Sequence, residues 1–215
     1  MENVEPVADA INESDRPGEA IAIECDVTER DAVQELIDET VDEFGGLDIL
    51  INNAGASFQA PLSEISENGW KTIVDINLTG TYHCIQAAEE HLKESSGSVI
   101  NLSSVAGQQG APWMSHYAAA KAAVENLTKT LAFEWAEDDV RVNCIAPGFV
   151  ATPGVASQMG VTADEVERDE VKRRIGVSEE IADIAQFLAS EASSYVVGQS
   201  ITAAGVPDIM ESPDV

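Results

Sequence analysis

Hydrophobic and polar residues follow one another along the chain in blocks of two kinds. Short continuous apolar runs, each closed by a small or polar residue, predict buried strands. Longer stretches with apolar residues three or four positions apart predict helices. The predicted strands cover residues 20–27, 47–52, 98–104, 140–148 and 199–203. The predicted helices cover residues 2–13, 28–44, 67–93, 115–137 and 178–190.

This alternation of strands and helices predicts an α/β fold. Strands that are apolar throughout are typical of a parallel sheet covered by helices on both faces. The length of 215 residues fits a single domain, residues 1–215, and neither a repeat nor a linker divides it. Within the helix 67–93, Asn77 and Gly80 are poor helix formers, which predicts a break there. The polar, weakly periodic stretch 151–174 predicts a mobile helical lid.

The balance of charges is strongly acidic. The chain has 39 acidic and 11 basic residues, a net charge of -28, and the carboxylates are spread over the predicted helices. Such a surface repels nucleic acids and anionic membranes, so neither is expected as a partner. A uniformly acidic, lysine-poor surface suits a salty cytoplasm, where ions screen self-repulsion. We therefore expect a halophilic source and a loss of structure in low salt.

Targeting signals and metal-binding patterns are missing from the sequence. No apolar run approaches 18 residues, and the N-terminus lacks the basic and apolar regions of a signal peptide, which predicts a cytoplasmic protein. The three cysteines stand singly in apolar segments, so reduced, buried thiols are expected. His83 and His91 have no third ligand at metal spacing, and no metal is expected. His116 is expected at the surface or lining a pocket.

Candidate chemistry begins with Tyr117 and Lys121, which are four residues apart in an alanine-rich run and therefore on one helix face. A phenol ionises near pH 10, and a neighbouring ammonium group favours the phenolate, so Lys121 is expected to lower the pKa of Tyr117. Thirteen residues before Tyr117, a predicted strand ends at Ser104. If strand and helix pack side by side, the three groups converge on a carbonyl or an alcohol. Taken alone, a Tyr and a Lys at this spacing more often form an exposed surface pair.

Small or polar residues end every predicted strand, and ligands of open α/β sheets bind beyond these ends. After the strand 47–52 the sequence reads Asn52-Asn53-Ala54-Gly55. Paired asparagines can join adjacent strand ends, and a glycine lets the backbone approach a ligand closely.

The N-N-A-G run, together with Ser104, Tyr117 and Lys121, resembles the short-chain dehydrogenase/reductase family. The resemblance covers nearly the whole chain and implies a Rossmann-like, doubly wound parallel sheet. It also implies an enzyme that uses NAD or NADP for reversible hydride transfer between a nicotinamide and a carbonyl or secondary alcohol. The resemblance is greatest to 3-oxoacyl-thioester reductases and to sugar or polyol dehydrogenases.

The resemblance further implies roles for individual residues. Tyr117 would be the proton donor, Ser104 would polarise the carbonyl, and Lys121 and Asn77 would complete a catalytic tetrad. The implied cofactor-binding residues are Asp26, Val27, Asn53, Ala54, Gly55, Tyr117, Lys121, Pro147, Gly148, Val150 and Thr152. Simpler interpretations stay open, since an acidic residue is favoured before a helix and a break at Asn77 can serve packing alone.

One part of the family pattern has no counterpart in this sequence, namely the first strand with its T-G-x-x-x-G-x-G turn before a helix. We expect the first two strands to be missing, which leaves a gap between strands 20–27 and 47–52 with unpaired apolar edges. Either Met1 is an internal methionine of a longer enzyme, or the gene is a truncated remnant, and the intact tetrad favours the first explanation. The family often has D-G-G after the last strand, where this chain has residues 203–207, A-A-G-V-P.

Two functions follow from these features. The first is an NAD(P)-dependent oxidoreductase acting on a small-molecule carbonyl or alcohol, with its substrate set by the 151–174 stretch. The alternative is a catalytically silent chain that serves as a structural or assembly partner, which the missing glycine-rich turn favours and the tetrad disfavours. The family commonly forms tetramers through its two long helices, here 67–93 and 115–137, so a homotetramer is expected.

Overall fold

A computed structural model describes residues 4–15, 17–152, 155, 160–169, 171–172 and 174–207. Four strands form a parallel sheet in the spatial order β1-β2-β3-β4. The strands are β1 (Ile49–Asn52), β2 (Ser98–Leu102), β3 (Arg141–Pro147) and β4 (Ser200–Ala203). The helices are α1 (Glu5–Asn12), α2 (Arg30–Phe44), α3 (Glu67–Val74), α4 (Gly80–Ser95), α5 (Val105–Gln109), α6 (Ser115–Glu134) and α7 (Ser178–Ala189).

Apolar side chains of the central strands pack on both faces of the sheet. Val99 and Val142 face one layer, which contains Ile37 of α2, Ile85 of α4 and Ala132 of α6. Ile100, Leu102 and Ile145 point to the opposite face of the sheet. There they pack against a second layer, which contains Ala185 and Leu188 of α7. Because successive strand residues point to opposite faces, only strands that are apolar throughout serve both layers. The predicted α/β fold, with a parallel sheet between helices, is confirmed.

The predicted strand 20–27 is wrong. Residues 19–25 form no strand, and the backbone of Ala20 instead exchanges hydrogen bonds with the Asn12 side chain at 2.8 and 2.9 Å. A strand needs a neighbour to satisfy its N–H and C=O groups. Within the described ranges no strand lies beside this segment, which explains why an apolar sequence alone did not produce one.

One edge of the sheet is open within the described residues. Among the residues that the structure describes, β1 pairs with a strand on one side only, and its Ile49 and Ile51 are 43% and 47% exposed. A separate apolar groove is formed by residues 19–23 together with Leu36 and Phe44. Exposed apolar strand edges favour association with other chains.

The long helix predicted at 67–93 is interrupted where Asn77 and Gly80 indicated a break. α3 and α4 are separated by a π-helical turn, Asp75–Thr79, that contains the fully buried Asn77. Such turns inside α-helices are frequent at functional sites. Within the interruption, the Asn77 side chain donates a hydrogen bond of 2.9 Å to the carbonyl oxygen of Ile73, four residues earlier.

The stretch predicted as a helical lid is only partly described. Within it lies a short 3-10 turn, Ala163–Glu165, and residues 153–154, 156–159, 170 and 173 lie outside the described residues. In the parts of the chain that the structure describes, no helix is long and apolar enough to cross a membrane.

Candidate active site

The candidate site lies at the carboxyl ends of the parallel strands. Because the strands run in one direction, the residues that follow β1, β2 and β3 emerge at the same edge of the sheet. Those residues are Asn53 to Gly55, Ser103 with Ser104, and Gly148. The edge thus gathers the segments on which the sequence-based predictions depend.

Helix α6 is fixed to the end of β2 through Lys121. The Lys121 Nζ donates a 2.7 Å hydrogen bond to the carbonyl oxygen of Leu102, and the Ser103 hydroxyl donates one of 2.9 Å to the carbonyl oxygen of Lys121. Ser103 also lies 3.0 Å from a carboxylate oxygen of Glu125. These contacts set the position of α6 relative to the strand that carries Ser104.

Gly107 allows α5 to pack closely on α6. A Cβ atom added at Gly107 would lie 2.8 Å from the backbone nitrogen of Ala122 and 2.8 Å from the carbonyl carbon of Lys121. Any larger residue would push the two helices apart. The roles of Gly107 and Ser103 were not predicted, although both residues lie in the same Ser-Ser-Val-Ala-Gly run as Ser104.

The structure brings Ser104 and Tyr117 together. Ser104 interacts with the Tyr117 hydroxyl closely enough to oppose part of the rise in the Tyr117 pKa, and Ser104 accepts a hydrogen bond of 3.2 Å from the backbone nitrogen of Ala106 at the start of α5. The side chains of Ser104 and Tyr117 therefore lie close together near the end of β2. A carbonyl or alcohol oxygen placed there can contact both groups.

The expected lowering of the Tyr117 pKa is wrong for the protein's own groups. The pKa of Tyr117 is raised, because burial disfavours the phenolate more strongly than the hydrogen bond from Ser104 favours it. The Lys121 Nζ lies 5.7 Å from the centre of the Tyr117 ring. With the protein's own groups, the phenol is protonated at neutral pH and carries a proton to donate.

The ammonium group of Lys121 is buried, with 4% of the residue exposed. Burial lowers the pKa of Lys121 from 10.5 to about 8, because the charged form is poorly solvated. At neutral pH the group is still charged, and its hydrogen bond to Leu102 is charge-assisted. Lys121 thus places a positive charge beside Tyr117.

Asn77 reaches the site from the π-helical turn. Its side-chain nitrogen donates hydrogen bonds to the carbonyl oxygens of Ala56 (2.7 Å) and Ile73 (2.9 Å), which leaves its buried Oδ1 without a partner among the described residues. A Cβ atom added at Gly55 would lie 2.9 Å from this oxygen and 3.5 Å from the Lys121 Nζ. Both atoms therefore border the small space beside Gly55, and an unsatisfied buried acceptor there favours a ligand or water molecule.

The asparagine pair that joins the strand ends is not Asn52 with Asn53. The Asn52 side chain donates a 2.8 Å hydrogen bond to Asn101, its register partner on β2, and Asn101 donates one of 2.9 Å to Thr128 on α6. Asn53 is exposed. Asn101 was missed, although asparagines at matching distances from two strand ends were a signal for it.

The predicted residues after the unformed strand lie against α4. Asp26 is exposed and accepts hydrogen bonds from the backbone nitrogen and hydroxyl of Thr28, and the backbone hydrogen bond is the main cause of its lowered pKa. The carbonyl oxygen of Val27 lies 3.0 Å from His83 Nδ1. A Cβ atom added at Gly80 would lie 2.6 Å from Val27 Cγ2, so the start of α4 requires a glycine at this contact.

The predicted cofactor residues after β3 form an ordered segment. The backbone nitrogen of Gly148 donates a 3.0 Å hydrogen bond to the carbonyl oxygen of Ala203, which is paired with Pro147 in the sheet. Val150 forms an isolated parallel bridge with Gly176, and Thr152 donates a backbone hydrogen bond of 2.7 Å to the carbonyl oxygen of Val150.

The expectation that His116 lies at the surface or lines a pocket is wrong. The residue is fully buried, and its ring meets that of Phe58 edge to face at 4.3 Å and lies 6.4 Å from the ring of Trp70. Neither ring nitrogen has a hydrogen-bond partner within the described residues. The loop that carries Phe58 and the helix α3 cover this face of α6, which the helical position of His116 could not show.

Comparison with known proteins identifies the family. A family model described as Enoyl-(Acyl carrier protein) reductase matches residues 1–205. A 3-oxoacyl-[acyl-carrier-protein] reductase of Thermotoga maritima is 38% identical over 187 residues, which are 86% of this chain and 76% of that protein. The corresponding reductase of Synechocystis is 40% identical over 190 residues, 87% of this chain and 76% of that protein. This chain belongs to the short-chain dehydrogenase/reductase family.

Solved structures of family members share the fold. The crystal structure of a 3-oxoacyl-[acyl-carrier protein] reductase from Brucella melitensis has a TM-score of 0.82 and 37% identity, covering 96% of this chain and 78% of that one. A structure described as ElxO with NADP bound has a TM-score of 0.74 and 32% identity, covering 82% of this chain and 73% of that one. The resemblance to short-chain reductases drawn from the sequence is confirmed.

The buried ammonium group of Lys121 predicts an alkaline pH dependence of stability. Between the folded pKa of about 8 and the ordinary value of 10.5, the unfolded chain binds more protons than the folded one. The free-energy cost of burying the charge is full below the folded pKa and disappears as the pH rises through this window. As the pH rises through this window, the unfolding free energy of the wild-type chain should therefore increase by up to roughly 3 kcal/mol relative to that of Lys121→Met.

Denaturant unfolding of both chains at about pH 7 and about pH 10 measures this gain. Because both chains share every other titrating group, comparing their difference at the two pH values isolates Lys121. A difference that is the same at both pH values would contradict a buried ammonium group with a lowered pKa.

Proposed function

We propose that this protein is an NADPH-dependent reductase of 3-oxoacyl thioesters, with Ser104, Tyr117, Lys121 and Asn77 as its catalytic residues. The observation that carries the proposal is that Ser104 lies close enough to Tyr117 to affect its pKa, while the buried Lys121 Nζ lies 5.7 Å from the centre of the Tyr117 ring. The names of the relatives, which are 3-oxoacyl-[acyl-carrier-protein] reductases, support the choice of substrate.

The described residues fit the nicotinamide half of a dinucleotide. The absence of a side chain at Gly55 leaves space beside the unpartnered Asn77 oxygen and the Lys121 ammonium group, where a ribose hydroxyl would find an acceptor and a donor. When bound, the nicotinamide supplies the hydride. The residues that would hold the cofactor are Asp26, Val27, Asn53, Ala54, Gly55, Tyr117, Lys121, Pro147, Gly148, Val150 and Thr152.

The protein's own groups handle the oxygen of the substrate. Ser104 donates a hydrogen bond to the carbonyl oxygen, which polarises the carbonyl group and positions it. Tyr117, whose raised pKa keeps it protonated, transfers its proton to the same oxygen as negative charge develops there. The positive charge of Lys121 stabilises the phenolate that remains, and the free oxygen of Asn77 offers an acceptor on the route by which the proton is replaced.

The site favours a keto group over a carbon–carbon double bond. The matching family model carries the description of an enoyl reductase, whereas the similar proteins are named 3-oxoacyl reductases. Two neighbouring hydroxyl groups suit an oxygen atom that gains negative charge during the reaction. We therefore expect acetoacetyl-CoA to be reduced and crotonyl-CoA to be a poor substrate.

The alternative of a catalytically silent partner has no support from the comparisons. It depended on the missing glycine-rich turn, and no further feature of the described residues favours it. We propose a single-domain, cytoplasmic enzyme without nucleic acid or membrane partners.

Tyr117→Phe tests the assignment of the proton donor. The variant keeps the aromatic ring but has no hydroxyl, so turnover of acetoacetyl-CoA by NADPH should fall by roughly 10²- to 10⁴-fold, with NADPH binding largely retained. Consumption of NADPH measures turnover, and quenching of tryptophan fluorescence measures binding. Tyr195→Phe removes a hydroxyl from a fully exposed tyrosine and is the matched control. Activity of Tyr117→Phe equal to that of the control would rule out the assignment.

We propose that the protein is adapted to high salt. Its net charge of -28 generates self-repulsion, which dissolved ions screen over a few ångströms at molar concentrations. The thermal midpoint of unfolding should rise markedly between about 0.1 M and 3 M KCl, because the Debye length shortens from about 10 Å at about 0.1 M to about 3 Å already at about 1 M. A midpoint unchanged across this range would contradict adaptation to salt.

We propose that the chain forms a homotetramer through α4 and α6. The support is apolar surface on these helices, where Phe133 is 85% exposed and Tyr82 is 43% exposed. Burying such residues between copies removes apolar area from water. Light scattering should give four times the chain mass for the wild type, and a smaller mass for Phe133→Asp. A monomeric wild-type chain would refute this assembly.

A further inference from the structure

The backbone that follows β3 is held by one residue from a distant part of the sequence. Gly176 donates a 2.8 Å hydrogen bond to the carbonyl oxygen of Phe149, and its own carbonyl oxygen accepts one of 2.8 Å from the backbone nitrogen of Ala151. These two bonds enclose Val150 in a parallel bridge. The segment 149–152 carries Val150 and Thr152, and its position therefore depends on that of Gly176.

Glu180 of α7 holds the chain on both sides of Gly176. Its Oε2 accepts hydrogen bonds from the backbone nitrogen of Val177 (3.0 Å) and from Arg174 Nη1 (2.8 Å), and its Oε1 accepts one of 2.7 Å from Arg174 Nη2. A Cβ atom added at Gly176 would lie 3.4 Å from Glu180 Oε2. The Glu180 carboxylate thus contacts both Val177 and Arg174, which lie on either side of Gly176 in the sequence.

The same guanidinium group also binds the neighbouring backbone. Arg174 donates hydrogen bonds of 3.1 Å to the carbonyl oxygens of Ile175 and Arg168. It therefore connects the chain before Gly176 to α7 through a planar, bidentate contact, the strongest arrangement for an ion pair of this type.

This ion pair is better shielded from solvent than the other described pairs that bear on the region. The side chains of Arg174 and Glu180 are 17% and 28% exposed, whereas those of Arg168 and Asp183 are 47% and 69% exposed. The contact with Arg174 lowers the pKa of the Glu180 carboxyl to about 2, so the pair stays ionised across the physiological range. Ala151 and Val177, which it brings together through Gly176, are buried.

We propose that Glu180 and Arg174 are positioning residues that hold the segment 149–152 in the place where the nicotinamide of the cofactor binds. The proposal rests on the proposed function, which puts Val150 and Thr152 against the cofactor. Neither Glu180 nor Arg174 touches the reacting atoms. They act through Gly176, because its two backbone hydrogen bonds connect the chain held by α7 to the segment 149–152.

Loss of the pair should weaken cofactor binding more than the chemical step. In Glu180→Gln the amide cannot accept both guanidinium hydrogen bonds, so Gly176 and the segment 149–152 become less restrained. We expect the KM for NADPH to rise roughly tenfold, with turnover at saturating NADPH changed less than about threefold. Arg174→Gln should give the same pattern, although it leaves the hydrogen bond from the Val177 backbone nitrogen to Glu180 intact. The KM for NADPH of the double variant should be no higher than that of either single variant.

Glu179→Gln is the matched control. It makes the same chemical change one residue earlier on α7, at an exposed side chain. Hydrogen exchange of the wild type, Glu180→Gln and Glu179→Gln gives a readout that needs neither cofactor nor activity. The amides of Ala151 and Gly176 should exchange at least about tenfold faster in Glu180→Gln alone, because the backbone hydrogen bonds that protect them open more often.

The outcomes separate this proposal from the proposed function. Equal exchange at Ala151 and Gly176 in the two variants, or a lower turnover number with an unchanged KM for NADPH, would overturn the positioning role. If the wild-type chain neither binds nor oxidises NADPH, the proposed function fails, and with it the role in cofactor binding. A loss of protection spread over the whole chain in Glu180→Gln would show a general structural role and would likewise overturn the proposal.

Discussion

The buried ammonium group of Lys121 is the constraint on which the candidate site depends. A charge removed from water requires close partners, and the Lys121 Nζ has one in the carbonyl oxygen of Leu102 at the end of β2. The bond from Ser103 to the Lys121 carbonyl and the close approach at Gly107 fix the same helix from two other directions. These contacts hold Tyr117, on the same helix, close to Ser104.

The polar groups around this charge divide into satisfied and unsatisfied ones. Asn52, Asn101 and Thr128 form a chain of buried hydrogen bonds that links β1, β2 and α6, and such a chain makes the sheet edge rigid. Asn77 is different, because its Oδ1 is buried without a partner among the residues that the structure describes. The structure thus combines a rigid frame with an available acceptor beside Gly55, which is the arrangement expected of a preformed binding site.

The sequence predicted those parts that depend on local pattern. The central strands, the break at Asn77 and the convergence of Ser104, Tyr117 and Lys121 follow from apolar runs, helix propensity and spacing. The strand at 20–27 was wrong, because a strand also needs a neighbour. The burial of His116 depends on the loop and helix that bring Phe58 and Trp70 over it, and the Tyr117 pKa depends on burial that no spacing reveals. The connection of Glu180 to Gly176 and the segment 149–152 is likewise a property of the folded chain.

The central claim is that Ser104 and Tyr117 act on a keto oxygen while a hydride is delivered to the carbon that bears it. The most direct test is to incubate the whole chain with acetoacetyl-CoA and NADPH carrying deuterium at the transferred position of the nicotinamide, and to locate the label by mass spectrometry and NMR. The account predicts 3-hydroxybutyryl-CoA with deuterium on the carbon that carries the hydroxyl. Unlabelled product, or label transferred to crotonyl-CoA but not to acetoacetyl-CoA, would contradict it.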